Sequence, residues 1–223
     1  SAFEPTYTFT NSTNTIKSYN VELEVTSNRG CTDVFSSNVN VNRYVNADFG
    51  VGITEGCSPV TVHVINNSNG GTYYWFWDDD DLTLGSRDRQ STNNNDEFDV
   101  IYNNNLTGVT EIHHLTLIAR NGTTGSCYDT LTIPITVHPS IDAQFSTIPA
   151  SGEGCNPLDV EFTNNTSDAS KYNWYFGDGS STTVVSPDHT FTNNSTVDKT
   201  FNVKLVAESA NGCIDSVTHP ITV

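Results

Sequence analysis

A repeated residue pattern constrains this chain of 223 residues more than any other feature. Cys31 and Asp33 recur, together with the apolar residues around them, 182 positions later as Cys213 and Asp215, and a middle copy at Cys127 divides that interval into spacings of 96 and 86 positions. A unit of about ninety residues is large enough to hold its own hydrophobic core. Solenoid repeats are shorter and do not fold alone. The chain is therefore predicted to be an array of small, separate domains.

The spacing of the copies predicts three segments. Residues 1–44 hold only the C-terminal part of a unit, residues 45–139 form a complete unit, and residues 140–223 form a second complete unit. Only a few residues separate the end of one unit, at Val137, from the start of the next, at Phe145. Because short links restrict the relative motion of neighbouring domains, we expect a semi-rigid rod.

Apolar and polar residues alternate with a period of two along several short stretches. Phe201, Val203 and Leu205 alternate with polar or charged neighbours, which is typical of β-strands with one face in a core. No stretch has a convincing apolar period of 3.6 residues, and turns rich in Gly, Asn, Asp and Ser separate the strands. The predicted fold class is all-β, with tandem immunoglobulin-like β-sandwiches in a linear array.

The charge of the chain limits its partners. The net charge is −17, with 9 Lys and Arg residues against 26 Asp and Glu residues, which argues against nucleic acid and anionic membrane surfaces. No apolar run approaches the roughly 18 residues needed to cross a bilayer, so membrane insertion within this segment is not expected. Because the sequence contains no Met and its first copy starts midway through a unit, we expect a piece of a longer protein.

The third segment contains an aromatic and glycine motif made of Trp174, Phe176, Gly177, Asp178, Gly179, Pro187 and His189. This series resembles the hallmark of the PKD (polycystic kidney disease) domain family, a Trp-x-Phe-Gly-Asp-Gly stretch followed by a Pro-x-His segment. The resemblance implies an immunoglobulin-like sandwich in which the two aromatic residues fill the core. The glycines would close a tight turn that needs positive φ angles, and the histidine would have a structural role.

The middle segment keeps only part of this motif. Trp75 and Trp77 align with the aromatic residues of the third segment, but the glycine turn is replaced by the four aspartates Asp78, Asp79, Asp80 and Asp81. Hard oxygen donors on a loop suit Ca²⁺, so these aspartates are a candidate calcium site, with a solvated acidic turn as the alternative. An EF-hand is excluded because its central Gly and closing Glu are missing. No other cofactor is expected.

The five cysteines occupy matching places in the copies. Cys57 and Cys155 lie early in a unit, each in an Glu-Gly-Cys-x-Pro stretch, whereas Cys31, Cys127 and Cys213 lie late. This placement predicts disulfides within units, Cys57 to Cys127 and Cys155 to Cys213, with Cys31 left over. The alternative is that all five are reduced and buried. Bridges would place the protein in an oxidising, extracytoplasmic compartment.

The residues do not predict an enzyme. A hydrolase needs a nucleophile beside a histidine or two carboxylates across a cleft, and small sandwiches in tandem offer little concave surface. The three tryptophans could instead form a sugar-binding platform. Alternation places Trp75 and Trp174 inside the sandwich, however, and leaves Tyr74 and Tyr175 as the aromatic residues that could be exposed.

Two late sites resemble a bacterial O-glycosylation pattern. Thr130 and Ser216 each follow an aspartate and precede an aliphatic residue, as in the Asp-Ser/Thr-aliphatic acceptor of the bacterial phylum in which cysteine-bridged PKD arrays are common. Both are candidate glycosylation sites.

The resemblance implies a structural function. Tandem PKD modules occur in large bacterial cell-surface proteins, including the adhesins of gliding-motility systems, where they act as a stalk or a filament. We therefore expect a non-catalytic spacer segment at the cell surface, with neighbouring repeats, surface glycans or other copies of itself as partners. The alternative is an accessory carbohydrate- or protein-binding module of a secreted polysaccharide-degrading enzyme or protease.

Overall fold

The structure, a computed structural model, describes residues 4–77, 82–83, 85–121 and 127–223. Every regular element within these ranges is a β-strand, and the described residues contain no helix long and apolar enough to span a membrane. The all-β class predicted from the alternating pattern is confirmed.

The chain divides into two compact units. The first comprises Ser1–Gly52, Val62–Val100 and His114–Pro134, and the second comprises Ile53–Thr61, Ile101–His113 and Ile135–Val223. Several of these limits fall inside strands. The units therefore do not test the predicted segments 1–44, 45–139 and 140–223, which stay a prediction.

The first two strands form a hairpin. Strands β1 (Lys17–Thr26) and β2 (Thr32–Val41) pair antiparallel over their full length. On the apolar side of β1, Leu23 is 61% exposed, whereas Leu205, its equivalent in the third segment, is fully buried. Within the described ranges, this hairpin is a sheet of two strands only. Its alternating pattern is thus that of a sandwich strand, but its apolar face is not covered.

The next eight strands are β3 (Phe49–Val51), β4 (Glu55–Cys57), β5 (Val60–Asn66), β6 (Thr72–Trp77), β7 (Arg89–Ser91), β8 (Glu97–Tyr102), β9 (Glu111–Arg120) and β10 (Tyr128–His138). They form a three-stranded sheet of order β3-β5-β8 and a five-stranded sheet of order β4-β10-β9-β6-β7. Phe49 and Phe98 of the smaller sheet pack on Trp75 of the larger one, with ring centroids 5.2 and 5.0 Å away. Aromatic rings from both sheets therefore meet in this core.

The last seven strands are β11 (Phe145–Ile148), β12 (Leu158–Asn164), β13 (Ala169–Tyr175), β14 (Ser181–Thr182), β15 (Asp188–Phe191), β16 (Thr200–Ser209) and β17 (Ile214–Thr222). They form the sheets β11-β12-β15 and β14-β13-β16-β17. Trp174 is fully buried between them and packs on Phe145 at 5.0 Å and on Phe162 at 5.3 Å between ring centroids. The predicted immunoglobulin-like β-sandwich is confirmed.

Candidate functional site: the aromatic turn and the cysteine bridge

The turn after β13 depends on a glycine that no other residue can replace without strain. Trp174 and Phe176 point into the core, and the chain then passes through Gly177 with a φ of 80°. A Cβ atom at Gly177 would lie 2.8 Å from the backbone nitrogen of Asn202 and 2.9 Å from its carbonyl oxygen. Both the positive φ and the close approach of the neighbouring strand β16 therefore require glycine here.

Asp178 holds this turn through both of its carboxylate oxygens. The backbone N–H of Ser180 donates to Oδ1 at 2.9 Å, and the Ser180 hydroxyl donates to the same oxygen. His189 Nε2 donates to Oδ2 at 2.8 Å, and the His189 ring stacks on Phe176 with centroids 4.0 Å apart. Burial acts to raise the pKa of Asp178, but the hydrogen bonds from Ser180 and His189 outweigh it and lower that pKa to about 2.

Ser180, His189 and Asp178 do not form a hydrolytic triad. In such a triad the histidine accepts the serine proton and the aspartate orients the histidine. Here the Ser180 hydroxyl and His189 both donate to the carboxylate of Asp178 instead. The serine is not activated by a base, and the three residues fasten a turn to the neighbouring strand β15.

In the middle segment, other side chains hold the described end of β6 and the start of β7. Trp77 is half-buried, and its backbone N–H donates to Asp88 Oδ2 at 2.6 Å. Arg89 forms two hydrogen bonds with Asp96, at 3.0 and 2.8 Å, and its guanidinium lies 4.6 Å from the centroid of Phe98. Hydrogen bonding from Arg89 lowers the pKa of Asp96. Sequence reasoning missed this ion pair, although opposite charges on either side of a short turn are a usable signal.

The candidate calcium aspartates, Asp78–Asp81, lie outside the described residues. Among the residues that are described, no group of three or more His, Cys, Asp and Glu side chains is placed to hold a metal ion.

The strands carrying the tryptophans do not present a row of exposed rings. Tyr74, which alternation would leave exposed, is buried beneath the Arg87 guanidinium, 5.5 Å from its ring centroid. Its neighbour Phe76 is also buried, so β6 is covered on both faces. Tyr175 on β13 is 50% exposed. The described residues of β6 and β13 therefore expose about half of one aromatic side chain, Tyr175, and smaller parts of Trp77 and Tyr172.

The predicted disulfide pairing is wrong. The bridge joins Cys57 to Cys213, with Cα atoms 5.6 Å apart, and Cys31, Cys127 and Cys155 are free. Neither Cys57 to Cys127 nor Cys155 to Cys213 is formed. The bond links the early cysteine of the middle segment to the late cysteine of the third.

Strand geometry explains the error. β4 runs parallel to β10 with Cys57 opposite His138, the last residue of β10, whereas Cys127 precedes Tyr128, its first residue. At about 3.3 Å per residue, the length of β10 keeps these two cysteines roughly 35 Å apart. A disulfide requires Cα atoms within about 7 Å. The early and late cysteines of one unit thus lie at opposite ends of its last strand.

The third segment has the same arrangement. Glu153, two residues before Cys155, bridges to Thr222, the last residue of β17, whereas Cys213 precedes Ile214, its first residue. Cys155 and Cys213 are therefore separated by the whole of β17.

The aspartates that follow Cys127 and Cys213 have a structural role. Asp129 Oδ2 accepts a hydrogen bond from the backbone N–H of Ala47 at 2.9 Å, and Asp215 Oδ2 accepts the equivalent bond from Ala143 at 2.7 Å. The candidate glycosylation residues Thr130 and Ser216 follow directly and are exposed. Each aspartate thus ties the last strand of a unit to the Ala-x-Phe segment that starts it.

Comparisons with known proteins agree with the geometry of the third segment. Residues 136–223 match the model of the PKD domain family, and this part of the chain is therefore similar to a PKD domain. No curated protein matches the chain.

Several solved structures are similar to parts of the chain. The PKD1 domain of the Vibrio cholerae metalloprotease PrtV has 24% identity and a TM-score of 0.31, over 38% of this chain and 96% of that one. The PKD1 domain of Vibrio anguillarum Epp has 20% identity and a TM-score of 0.30, over 38% and 93%. An amphioxus IgVJ-C2 molecule has 11% identity and a TM-score of 0.32, over 76% and 99%.

Proposed function

We propose that this chain is a non-catalytic structural segment of a large extracellular bacterial surface protein, in which PKD-like repeats form the stalk of an adhesin or a filament. The observation that supports the proposal is the Cys57–Cys213 bond, which links the predicted middle segment covalently to the predicted third segment. A spacer depends on the connection between its domains, whereas a binding module that acts alone does not.

The use of aromatic residues supports the same function. Trp75, Trp174 and Phe176 are buried in the sandwich cores, and the polar residues of the aromatic turn bond to one another. These residues stabilise the domains and leave few side chains for recognition or catalysis. The expected partners of the spacer are neighbouring repeats and, at the cell surface, other copies of the chain, whereas surface glycans are the partners expected for the runner-up.

An extracellular location follows from the chemistry of the bridge. Disulfides persist in oxidising compartments and are rare in the cytosol. The charge of −17 would keep such a segment soluble and would repel nucleic acid. Glycosylation at Thr130 and Ser216 is part of this proposal, since both side chains face the solvent.

The runner-up is an accessory binding module of a secreted polysaccharide-degrading enzyme or protease. The observation in its favour is the exposed ring of Tyr175 on β13. A single ring gives limited stacking with a sugar, and a binding face normally combines several.

Affinity electrophoresis distinguishes the spacer function from the accessory binding function. The chain is run in native gels with and without the soluble polysaccharides β-glucan and xylan, beside Tyr175→Ala and a matched variant, Tyr128→Ala, whose ring is also exposed. The spacer function predicts that no polysaccharide retards any of the three proteins. Retardation that is lost in Tyr175→Ala but kept in Tyr128→Ala would replace the spacer with a binding module. Release of reducing sugars or of peptides from casein would refute the non-catalytic function.

We also propose a weak calcium site at Asp78–Asp81, where a divalent cation would relieve the repulsion among four carboxylates. Thermal melts with calcium and with a chelator should differ by about 3 °C or less, and Asp79→Asn with Asp81→Asn should remove the difference. No difference in the parent chain would refute the site.

A further inference from the structure

Two of the late cysteines, Cys31 and Cys213, lie in turns of the same construction. In the first segment, the backbone N–H of Ser27 donates to the Cys31 carbonyl at 2.8 Å, and the Ser27 hydroxyl accepts from the Cys31 N–H at 3.0 Å. Ser209 and Cys213 make the same two bonds at the same two distances. The Cys127 carbonyl accepts a hydrogen bond from the Asn121 N–H at 3.1 Å, and these two residues lie six positions apart in the sequence.

The early cysteines also lie in equivalent places. The N–H of Thr136 donates to the Thr54 carbonyl at 2.8 Å, and the N–H of Thr222 donates to the Gly152 carbonyl at 2.8 Å. Cys57 lies three residues after Thr54, and Cys155 lies three residues after Gly152. The backbone around the two cysteines is thus held in the same way by the last strand of each unit.

A buried asparagine completes the match at this end of each sandwich. Asn104 Nδ2 donates to the carbonyls of Val109 and Val137, and Asn193 Nδ2 donates to those of Val197 and Val223. The backbone bonds around Cys155 and Cys57 therefore match, but their bonding states differ: Cys57 is bonded to the late cysteine of the third segment, and Cys155 is exposed and free.

We propose that Cys155 is a covalent attachment site for the late cysteine of a repeat that follows in the same polypeptide. By the same rule, Cys127 and Cys31 are attachment sites for the early cysteines of preceding repeats. Each bridge then joins neighbouring repeats, and none closes a single domain. The inference deepens the proposed spacer function and rests on it for the presence of further repeats.

Bond formation needs an oxidant, for which a small-molecule disulfide such as oxidised glutathione is sufficient. The Cys155 thiolate attacks the glutathione disulfide, forms a mixed disulfide and releases one glutathione thiolate. The thiolate of the late cysteine then attacks the Cys155 sulfur and releases the second glutathione. Two protein thiols are oxidised, one glutathione disulfide is reduced to two thiols, and the two protons from the protein pass to the glutathione.

The test extends the full chain by one further copy of residues 138–223, placed directly after Val223 so that the spacing of 86 positions is kept. The extended chain has seven cysteines, since the added copy brings a second Cys155 and a second Cys213 to the five of the chain. It is refolded in a glutathione redox buffer, and its free thiols are counted by mass spectrometry after alkylation under denaturing conditions. The unextended chain is treated in parallel.

We expect three free thiols in the extended chain, because the Cys57 bridge and a new bridge from the original Cys155 to the added Cys213 consume four of the seven. Cys155→Ser in the original copy should remove the new bridge and leave four free thiols. The matched control, Cys155→Ser in the added copy, should keep both bridges and leave two. The unextended chain should form one bridge and retain three free thiols, in agreement with its free cysteines.

Five free thiols in a folded extended chain would overturn the proposal, as would a bond between Cys155 and Cys213 of the same copy. A covalent dimer whose yield rises with protein concentration would assign the bond to a second molecule instead and would equally overturn it. Near-ultraviolet circular dichroism establishes that each variant is folded. Polysaccharide binding would refute the spacer function without changing the thiol count, so the two failures are distinguishable.

Discussion

At the scale of single residues, the aromatic turn shows how a few side chains determine a local structure. Gly177 allows the chain to pass against Asn202, and Asp178 then receives hydrogen bonds from Ser180 and His189. The motif could be recognised in the sequence, but the bonding within it could not, because the contact between Asp178 and His189 depends on the turn meeting strand β15. Two predictions follow from these residues.

Gly177→Ala should destabilise the third segment by roughly 2 to 4 kcal/mol, since a methyl group there meets the backbone of Asn202 in addition to the strain of a positive φ. Gly212→Ala is the matched control. Gly212 has a φ of 83°, close to the 80° of Gly177, but no atom lies within 4 Å of its Cβ position. The free energies of unfolding of both variants in urea are compared, and the difference between them measures the cost of the steric clash. Equal losses of stability would contradict the clash.

Asp178 should make the third segment sensitive to acid. Its pKa is about 2 in the folded chain and near 3.8 without these contacts, so its stabilising contribution is fully present above about pH 5 and is lost as the pH falls through 2. We expect a loss of roughly 1 kcal/mol, given its partial exposure. Asp178→Asn should flatten the stability curve between pH 5 and 2, whereas Asp198→Asn, at an exposed site, should leave it unchanged. A curve that Asp178→Asn does not alter would contradict the assignment.

At the scale of elements, alternation predicted strands well where one face meets a core and less well elsewhere. Phe201, Val203 and Leu205 are buried as a period of two requires. β6 departs from this alternation of buried and exposed residues, because Tyr74 and Phe76 are buried as well as Tyr73 and Trp75. The pairing of the cysteines was predicted incorrectly because their order in a unit does not reveal that a full strand separates them. The separation of the two cysteines can be recognised only from the parallel pairing of β4 with β10, which the sequence does not reveal.

The hairpin of β1 and β2 should open more readily than its equivalent, β16 and β17. Both pairs have continuous antiparallel registers, but only the second is covered by a core. Hydrogen exchange measured by NMR should give protection factors at least about 100-fold lower in β1 than in β16, because backbone bonds without buried apolar contacts open locally. Comparable protection in the two hairpins would show that something covers Leu23 in solution.

At the scale of the whole molecule, the Cys57–Cys213 bond closes a loop with a sequence separation of 156 residues. If the chain is pulled by its ends in a force spectrometer, the residues inside this loop should not add to its length. Reduction, or Cys57→Ser, should release about 500 Å of extra extension, at roughly 3.4 Å per residue. Cys155→Ser, which leaves the bond intact, is the control and should behave as the parent chain. The same extension with and without reductant would contradict the loop.

Because of this loop, domains between Cys57 and Cys213 can unfold without lengthening the chain between its two ends. When a sandwich inside the loop unfolds, the released backbone bears no tension, because the sulfur–sulfur bond carries the load. The distance between the two attachment points hardly changes, and the domain can refold without working against the load. In the proposed stalk, the two attachment points would stay at nearly the same distance while individual domains unfold and refold.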